Sequence, residues 1–164
     1  MQRAGMAHVI GDGVDTDQII PGKYLHLDDK QEFGSHALEG YDRDLAGRID
    51  AGDLIVAGAN LGLGSSREAA PLALRYAGVG AVVADSFARI FYRNCINVGL
   101  PIAEVPDITA AVDDGDELIV DLGAGMVTNV TTGAEFSAGR LPTRLQSILE
   151  AGGLVAYRTG SSPD

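Results

Sequence analysis

The sequence has one cysteine, no tryptophan and 5% aromatic residues in 164 positions. A lone thiol, Cys95, excludes an intrachain disulfide framework and any multi-cysteine zinc or iron–sulfur site built from this chain alone. Basic residues are also scarce: 12 Lys and Arg stand against 23 Asp and Glu, a formal charge of −11. That sign disfavours long-range attraction to nucleic acid or to an anionic membrane. No run of about 18 apolar residues occurs, so no transmembrane helix is expected. Residues 1–11 lack the apolar stretch of a secretory signal. A reducing, cytoplasmic location is the resulting expectation.

What remains is an ordinary globular composition, 46% hydrophobic and 21% charged. The length suits one domain, spanning 1–164, with a polar tail over about 159–164. Twenty-two glycines point to turns and close backbone approaches rather than long helices.

The hydrophobic pattern predicts a strand over 6–10, a turn at Gly11-Asp-Gly13, and short surface helices within 28–50. Four-residue apolar runs at 54–57 and 81–84 read as buried strands. Each is followed by a helix, over 65–76 and 86–98, with Ser86 as N-cap and Gly99 at the stop. Phe87, Ile90 and Phe91 look like core packing. Strand, helix, strand, helix gives parallel connectivity over 54–99. Alternation over 117–122 and 126–130 around Gly123-Ala-Gly125 predicts a hairpin, then a helix over 143–151 and a returning strand over 154–157. The expected class is α/β, with a parallel centre and antiparallel β additions.

The loop between the first buried strand and its helix carries the chemistry. Gly58, Gly62 and Gly64 allow the backbone to turn sharply and approach a ligand. Free N–H groups at the helix start attract an anion, Arg67 offers bidentate geometry for a carboxylate or phosphate, and Ser65 and Ser66 add hydroxyls. Neither Gly-Lys-Ser/Thr nor a third glycine at position 67 is present, so a small carboxylate fits better than a nucleotide. A purely structural reading competes. Ser65-Ser-Arg-Glu68 matches a capping box with Ser65 as N-cap, although Pro71 would then cost a helix hydrogen bond.

Three long stretches, in order, carry a resemblance. Gly11-Asp-Gly-Val-Asp-Thr-Asp-Gln-Ile-Ile-Pro-Gly-Lys-Tyr-Leu25, Gly62-Leu-Gly-Ser-Ser-Arg-Glu68 and Ser86-Phe-Ala-Arg-Ile-Phe-Tyr-Arg-Asn-Cys-Ile-Asn-Val-Gly-Leu-Pro101 resemble the small subunits of isopropylmalate dehydratase and homoaconitase. The ending, from Thr131-Thr-Gly133 to Ile148-Leu-Glu-Ala-Gly-Gly-Leu154, also fits. The resemblance covers nearly the whole chain and implies the swivelling β/β/α domain of the aconitase superfamily. It implies a large-subunit partner carrying a [4Fe–4S] cluster, which agrees with the single cysteine here. The implied reaction is dehydration and rehydration of a hydroxy dicarboxylate, with the cluster iron as Lewis acid for the hydroxyl.

By the same resemblance Ser65 is the base, acting as alkoxide, and Arg67 binds a substrate carboxylate. Ser66 and Gly64 help hold it, and Asp17 stands near the reacting groups. Asp17 has a competing reading as an Asx-turn residue. Tyr24, Leu25, His26 and Leu27 occupy the substrate-recognition loop. An arginine after Tyr-Leu favours an additional carboxylate, as in homoaconitase, and apolar residues favour an isopropyl group. Leu27 and the missing arginine tilt the reading to isopropylmalate, with His26 a solvated residue or a polar contact. Two positions depart from the family pattern: Ala69 replaces a common histidine, and Leu63 stands where many members carry cysteine or another residue. Homoaconitate, citraconate or a methylated malate are alternative substrates, and a non-catalytic carboxylate-binding module is the alternative of a different class. Isolated from its partner, the chain is expected to be open to self-association through an exposed apolar patch.

Overall fold

The computed structural model describes residues 1–161; the last three positions of the expected polar tail lie outside the described residues. Seven strands form one sheet in the order β4-β3-β2-β1-β5-β6-β7. They are β1 (Gln2–Val9), β2 (Leu54–Ala57), β3 (Ala81–Ala84), β4 (Ile102–Glu104), β5 (Glu117–Asp121), β6 (Met126–Asn129) and β7 (Glu135–Ser137). The helices are α1 (Thr16–Ile19), α2 (Lys30–Gly34), α3 (Leu45–Arg48), α4 (Ala69–Tyr76), α5 (Arg89–Asn97), α6 (Thr143–Glu150) and α7 (Leu154–Thr159). This is the expected α/β class, with parallel β1-β2-β3-β4 and antiparallel β5-β6-β7.

The sheet changes character along β1. Ala7–Val9 pairs in parallel with β2, whereas Gln2–Met6 pairs antiparallel with β5. The strand is thus two elements in series, longer than the predicted 6–10. Every residue of β2 and β3 is buried, because helices cover the parallel region, and their sequences are correspondingly apolar throughout. β5 alternates buried and less buried positions, as a one-faced antiparallel strand should. Gly5 lets β1 pass the 50–53 turn: a Cβ there would lie 2.3 Å from the Gly52 carbonyl oxygen.

Four expectations need correction. The first crossover helix starts at Ala69, with Glu68 at its N-cap and no side-chain cap bond, so Ser65 is not a cap. That start places Pro71 in the first turn, where its missing N–H costs nothing. Likewise α5 starts at Arg89, and Ser86 instead accepts a hydrogen bond from the Asn60 N–H at 2.9 Å. The stretch 154–157 is helical, closing bonds such as Tyr157 N–H to Gly153 O at 3.0 Å and packing on α5 and α6. A four-residue apolar run carries too little period to separate strand from helix. Finally, Ile90 is 50% exposed while Phe87 and Phe91 are buried. One residue along a helix turns the side chain by about 100°, away from the buried face that Phe91 and Cys95 occupy.

Candidate active site

The C-terminal ends of β1, β2 and β3 open onto three loops, at 10–16, 58–68 and 85–88. In an open parallel sheet this is the edge where ligands bind. The middle loop is joined to its neighbours on both sides. Gly62 N–H donates to Val14 O at 2.8 Å and Thr16 N–H to Leu63 O at 2.9 Å. On the other side Leu61 N–H donates to Ser86 O at 3.1 Å and Ala88 N–H to Leu61 O at 2.9 Å. These bonds extend parallel pairing beyond the strands, and they hold residues 61–63 as firmly as a strand.

Side chains complete the hold. The Ser65 N–H donates to Thr16 Oγ1 at 3.1 Å, and Asn94 on α5 donates its amide to the Ser66 carbonyl at 2.9 Å. Gly62 adopts φ +88°, and a Cβ there would sit 2.1 Å from Phe91 Cγ, so α5 serves as a backing plate for the loop. Thr16 and Asn94 were not among the candidates from sequence. Asn94 left one signal: a polar residue three positions after Phe91, hence on the buried face of its helix, where an amide needs a specific partner.

Asp17, Leu25, Ser65 and Arg67 line one cleft, together with Thr16 and Ala69. Its enclosed space is about 10 Å³, room for one water. A dicarboxylate is far larger than that space. The Ser65 hydroxyl is close to its own loop backbone, accepting the Arg67 N–H at 3.2 Å. Among the described residues no carboxylate forms an ion pair with the Arg67 guanidinium, so it faces the cleft uncommitted. Asp15, not Asp17, makes the local turn: it caps α1 by accepting the Gln18 N–H at 2.7 Å in a reciprocal capping box. Asp17 is exposed in the first turn of α1.

The remaining candidates are distributed around the cleft. Gly64 (φ +108°) and exposed Ser66 shape the loop beside Ser65. Leu27 lines an adjoining groove with Leu25, Phe33, Ala69, Leu72 and Tyr76. His26 is exposed. The Tyr24 hydroxyl is turned away, donating to Glu39 Oε1 at 2.6 Å. Cys95 is fully buried, and desolvation pushes its thiol well above its ordinary range, so it is a packing residue. Among the described residues no three metal-ligating side chains come together.

A family model described as the aconitase C-terminal domain matches residues 16–106, which include α1 and the whole 58–68 loop. The chain belongs to that family. It is 50% identical to the 3-isopropylmalate dehydratase small subunit of Aquifex aeolicus over 158 residues, covering 96% of this chain and 94% of that protein. It is 47% identical to the 2,3-dimethylmalate dehydratase small subunit of Eubacterium barkeri over 157 residues, 96% of each. Among solved structures it is similar to a 3-isopropylmalate dehydratase from Methanocaldococcus jannaschii, with a TM-score of 0.91 at 44% identity, covering 98% of this chain and 95% of that one. The family, the fold class and the type of enzyme subunit expected from the sequence are borne out.

Proposed function

We propose that the chain is the small subunit of a 3-isopropylmalate dehydratase, a cytoplasmic hydro-lyase that isomerises 2- and 3-isopropylmalate in leucine biosynthesis and works only with a large subunit. The observation that carries the reading is the placement of Ser65, Arg67 and Asp17 in one cleft with Leu25 on its wall, in a chain half identical to such small subunits. The expected [4Fe–4S] group is assigned to the large-subunit partner, a reading supported by the single cysteine of this chain, Cys95, which is buried.

The residues present divide the work as follows. Arg67 pairs with a substrate carboxylate and stabilises the negative charge that grows on it when the neighbouring C–H proton leaves. Ser65 Oγ, as alkoxide, takes that proton and returns it on rehydration. A serine hydroxyl is a weak base, so the alkoxide depends on the Arg67 N–H, the Arg67 charge and the exclusion of water once the partner covers the cleft. Ser66 and Gly64 offer further hydrogen-bonding groups to the carboxylate. Leu25 and Leu27 present an apolar wall that suits an isopropyl group, and neither could pair with an additional carboxylate.

The 47% identity to a 2,3-dimethylmalate dehydratase small subunit favours a second reading, the same chemistry on a diacid with methyl groups. One experiment separates them. The chain is co-purified anaerobically with its large subunit, and alkene formation is followed by ultraviolet absorbance from 3-isopropylmalate, 2,3-dimethylmalate and homocitrate. Preferred turnover of isopropylmalate is expected. Preference for another diacid keeps the chemistry and moves the substrate. Absence of turnover, together with ligand binding by this chain alone that Arg67→Ala weakens, would favour a carboxylate-binding module instead.

A further inference from the structure

The segment 22–27 supplies Leu25 to the cleft and Leu27 to the adjoining groove. Its backbone is a single 3-10 turn, Gly22–Tyr24, and among the described residues it pairs with no strand. The strongest hold on it comes from side chains. One carboxylate, Glu39, uses both oxygens: Oε1 accepts the Tyr24 hydroxyl at 2.6 Å, and Oε2 lies 2.5 Å from His36 Nδ1. The Tyr24 and His36 rings stack with centroids 3.7 Å apart and planes 8° apart. Lys23 Nζ stands over the Tyr24 ring at 5.1 Å. The Tyr24 hydroxyl and, after it, His36 hold the Glu39 carboxyl below its ordinary range. The Glu39 carboxylate is therefore ionised at neutral pH, and the hydrogen bonds it accepts are charge-assisted.

Glu39 is in turn fixed to the catalytic side of the cleft. Buried Leu38 before it adopts φ +60°, a conformation a leucine keeps only when its surroundings impose it. Its N–H donates to Ile19 O at 2.6 Å, and the Gly40 N–H donates to Gln18 O at 3.1 Å. A Cβ at Gly40 would lie 2.6 Å from Gln18 Cα. The stretch 38–40 is thus pressed against α1, the helical turn that carries Thr16 and Asp17.

We propose that Glu39, by bridging Tyr24 and His36, is the positioning residue that sets alkyl-group selectivity. It fixes Leu25 and Leu27 relative to Asp17, Ser65 and Arg67, and so sets the space left for the alkyl substituent of a hydroxy dicarboxylate. The inference rests on the dehydratase reading above. Glu39 itself touches no substrate; its effect passes through the loop.

The test uses Glu39→Ala, Glu39→Gln and Tyr24→Phe in the assembled two-subunit enzyme, with kcat and KM measured for 3-isopropylmalate and 2,3-dimethylmalate. With Glu39→Ala the KM for isopropylmalate is expected to rise about tenfold with kcat within about twofold, the size expected for losing charge-assisted hydrogen bonds. The KM for the smaller dimethyl substrate is expected to change about threefold or less, because methyl groups reach less of the Leu25 and Leu27 wall. Tyr24→Phe should shift selectivity in the same direction by less and add little on top of Glu39→Ala. Glu39→Gln, whose amide oxygen can still accept the Tyr24 hydroxyl, should recover most of the preference. Equal losses on both diacids, or a fall in kcat at unchanged KM, would overturn the proposal.

A second measurement needs no turnover. In the full chain alone, the amides of Leu25 and Leu27 donate to Gly22 O and Tyr24 O at 3.2 and 3.1 Å. Their hydrogen exchange is expected to be about tenfold faster in Glu39→Ala, with β2 and β3 amides unchanged. Unchanged exchange at these two positions sinks the proposal. A wild-type complex that turns over neither these two diacids nor homocitrate sinks the dehydratase reading instead, and the exchange rates then decide the bridge by themselves.

Discussion

Two loops face the same cleft and are held by different means. The 58–68 loop is fixed by backbone hydrogen bonds to Val14, Thr16, Ser86 and Ala88 and backed by Phe91 and Asn94 of α5. Among the described residues the 22–27 segment makes backbone hydrogen bonds only within its own turn, and the Tyr24–Glu39–His36 bridge and the packing of Tyr24 and Leu27 on the core complete its hold. Backbone bonds do not depend on side-chain identity, so the loop that carries Ser65 and Arg67 keeps its shape while neighbouring side chains vary. A segment held by three side chains can be retuned by changing one of them. Chemistry common to several diacids, combined with a choice among alkyl groups, calls for that division of labour.

The largest expected effect falls on the backbone-held loop. Ser65→Ala removes the proposed base and should lower turnover of the assembled enzyme by roughly 10²–10⁴-fold. Complex formation should be unimpaired, because the Ser65 N–H to Thr16 bond survives. Near-normal turnover in a steady-state assay would remove Ser65 from the reaction. Next is Gly62→Ala, which attacks the way the loop is held rather than its chemistry. The new methyl would meet the Phe91 ring at a backbone φ of +88°. A loss of about 2–4 kcal/mol in urea unfolding is expected from strain and overpacking together. A variant as stable as the wild type would mean that the loop is not seated on α5.

Much of this loop's setting was legible in advance, and the reason is local. Two four-residue apolar runs buried on both faces can hardly be anything other than central parallel strands, and the glycines between strand and helix mark the ligand edge of such a sheet. The helix start was misplaced because Ser65-x-x-Glu68 imitates a capping box, whereas the first-turn position of Pro71 sets the actual boundary. The other loop was legible only as a family motif. Nothing between Tyr24 and Glu39 announces that the two will meet, since the bond depends on Leu38 taking a left-handed conformation against α1. Asn94 falls between these cases: its burial was readable from helical spacing, but its partner, a carbonyl 28 residues earlier, was not.

Asn94→Ala sharpens the comparison at intermediate size. It deletes the side-chain donor to the Ser66 carbonyl and leaves that oxygen with one partner fewer. About 2 kcal/mol of stability should be lost. The kinetic effect should appear in kcat for every diacid alike, because the loop that moves is the one bearing Ser65 and Arg67. A change confined to the KM for isopropylmalate would contradict the division between the two loops.

The smallest effect comes from a control site outside both loops. At the start of β2, Asp53 is buried and accepts hydrogen bonds from the Met6 and Asp50 N–H groups at 3.3 and 2.9 Å, with His8 Nε2 2.8 Å away. Burial pushes its carboxyl up, but the hydrogen bonds from His8, Asp50 and Met6 outweigh it and hold the group below its ordinary range. A carboxylate with a depressed folded-state pKa contributes stability that is present above its unfolded value, near 4, and is lost as pH falls through the folded value. Asp53→Asn keeps an acceptor oxygen and should cost about 1 kcal/mol at pH 7. The gap in urea midpoint between variant and wild type should therefore narrow as pH is taken from 5 toward 3. Because Asp53 lies at the opposite end of β2 from the cleft, the ratio of isopropylmalate to dimethylmalate turnover should stay at the wild-type value. A shift in that ratio would mean that selectivity responds to general loosening of the sheet, and the Glu39 bridge would lose its special standing.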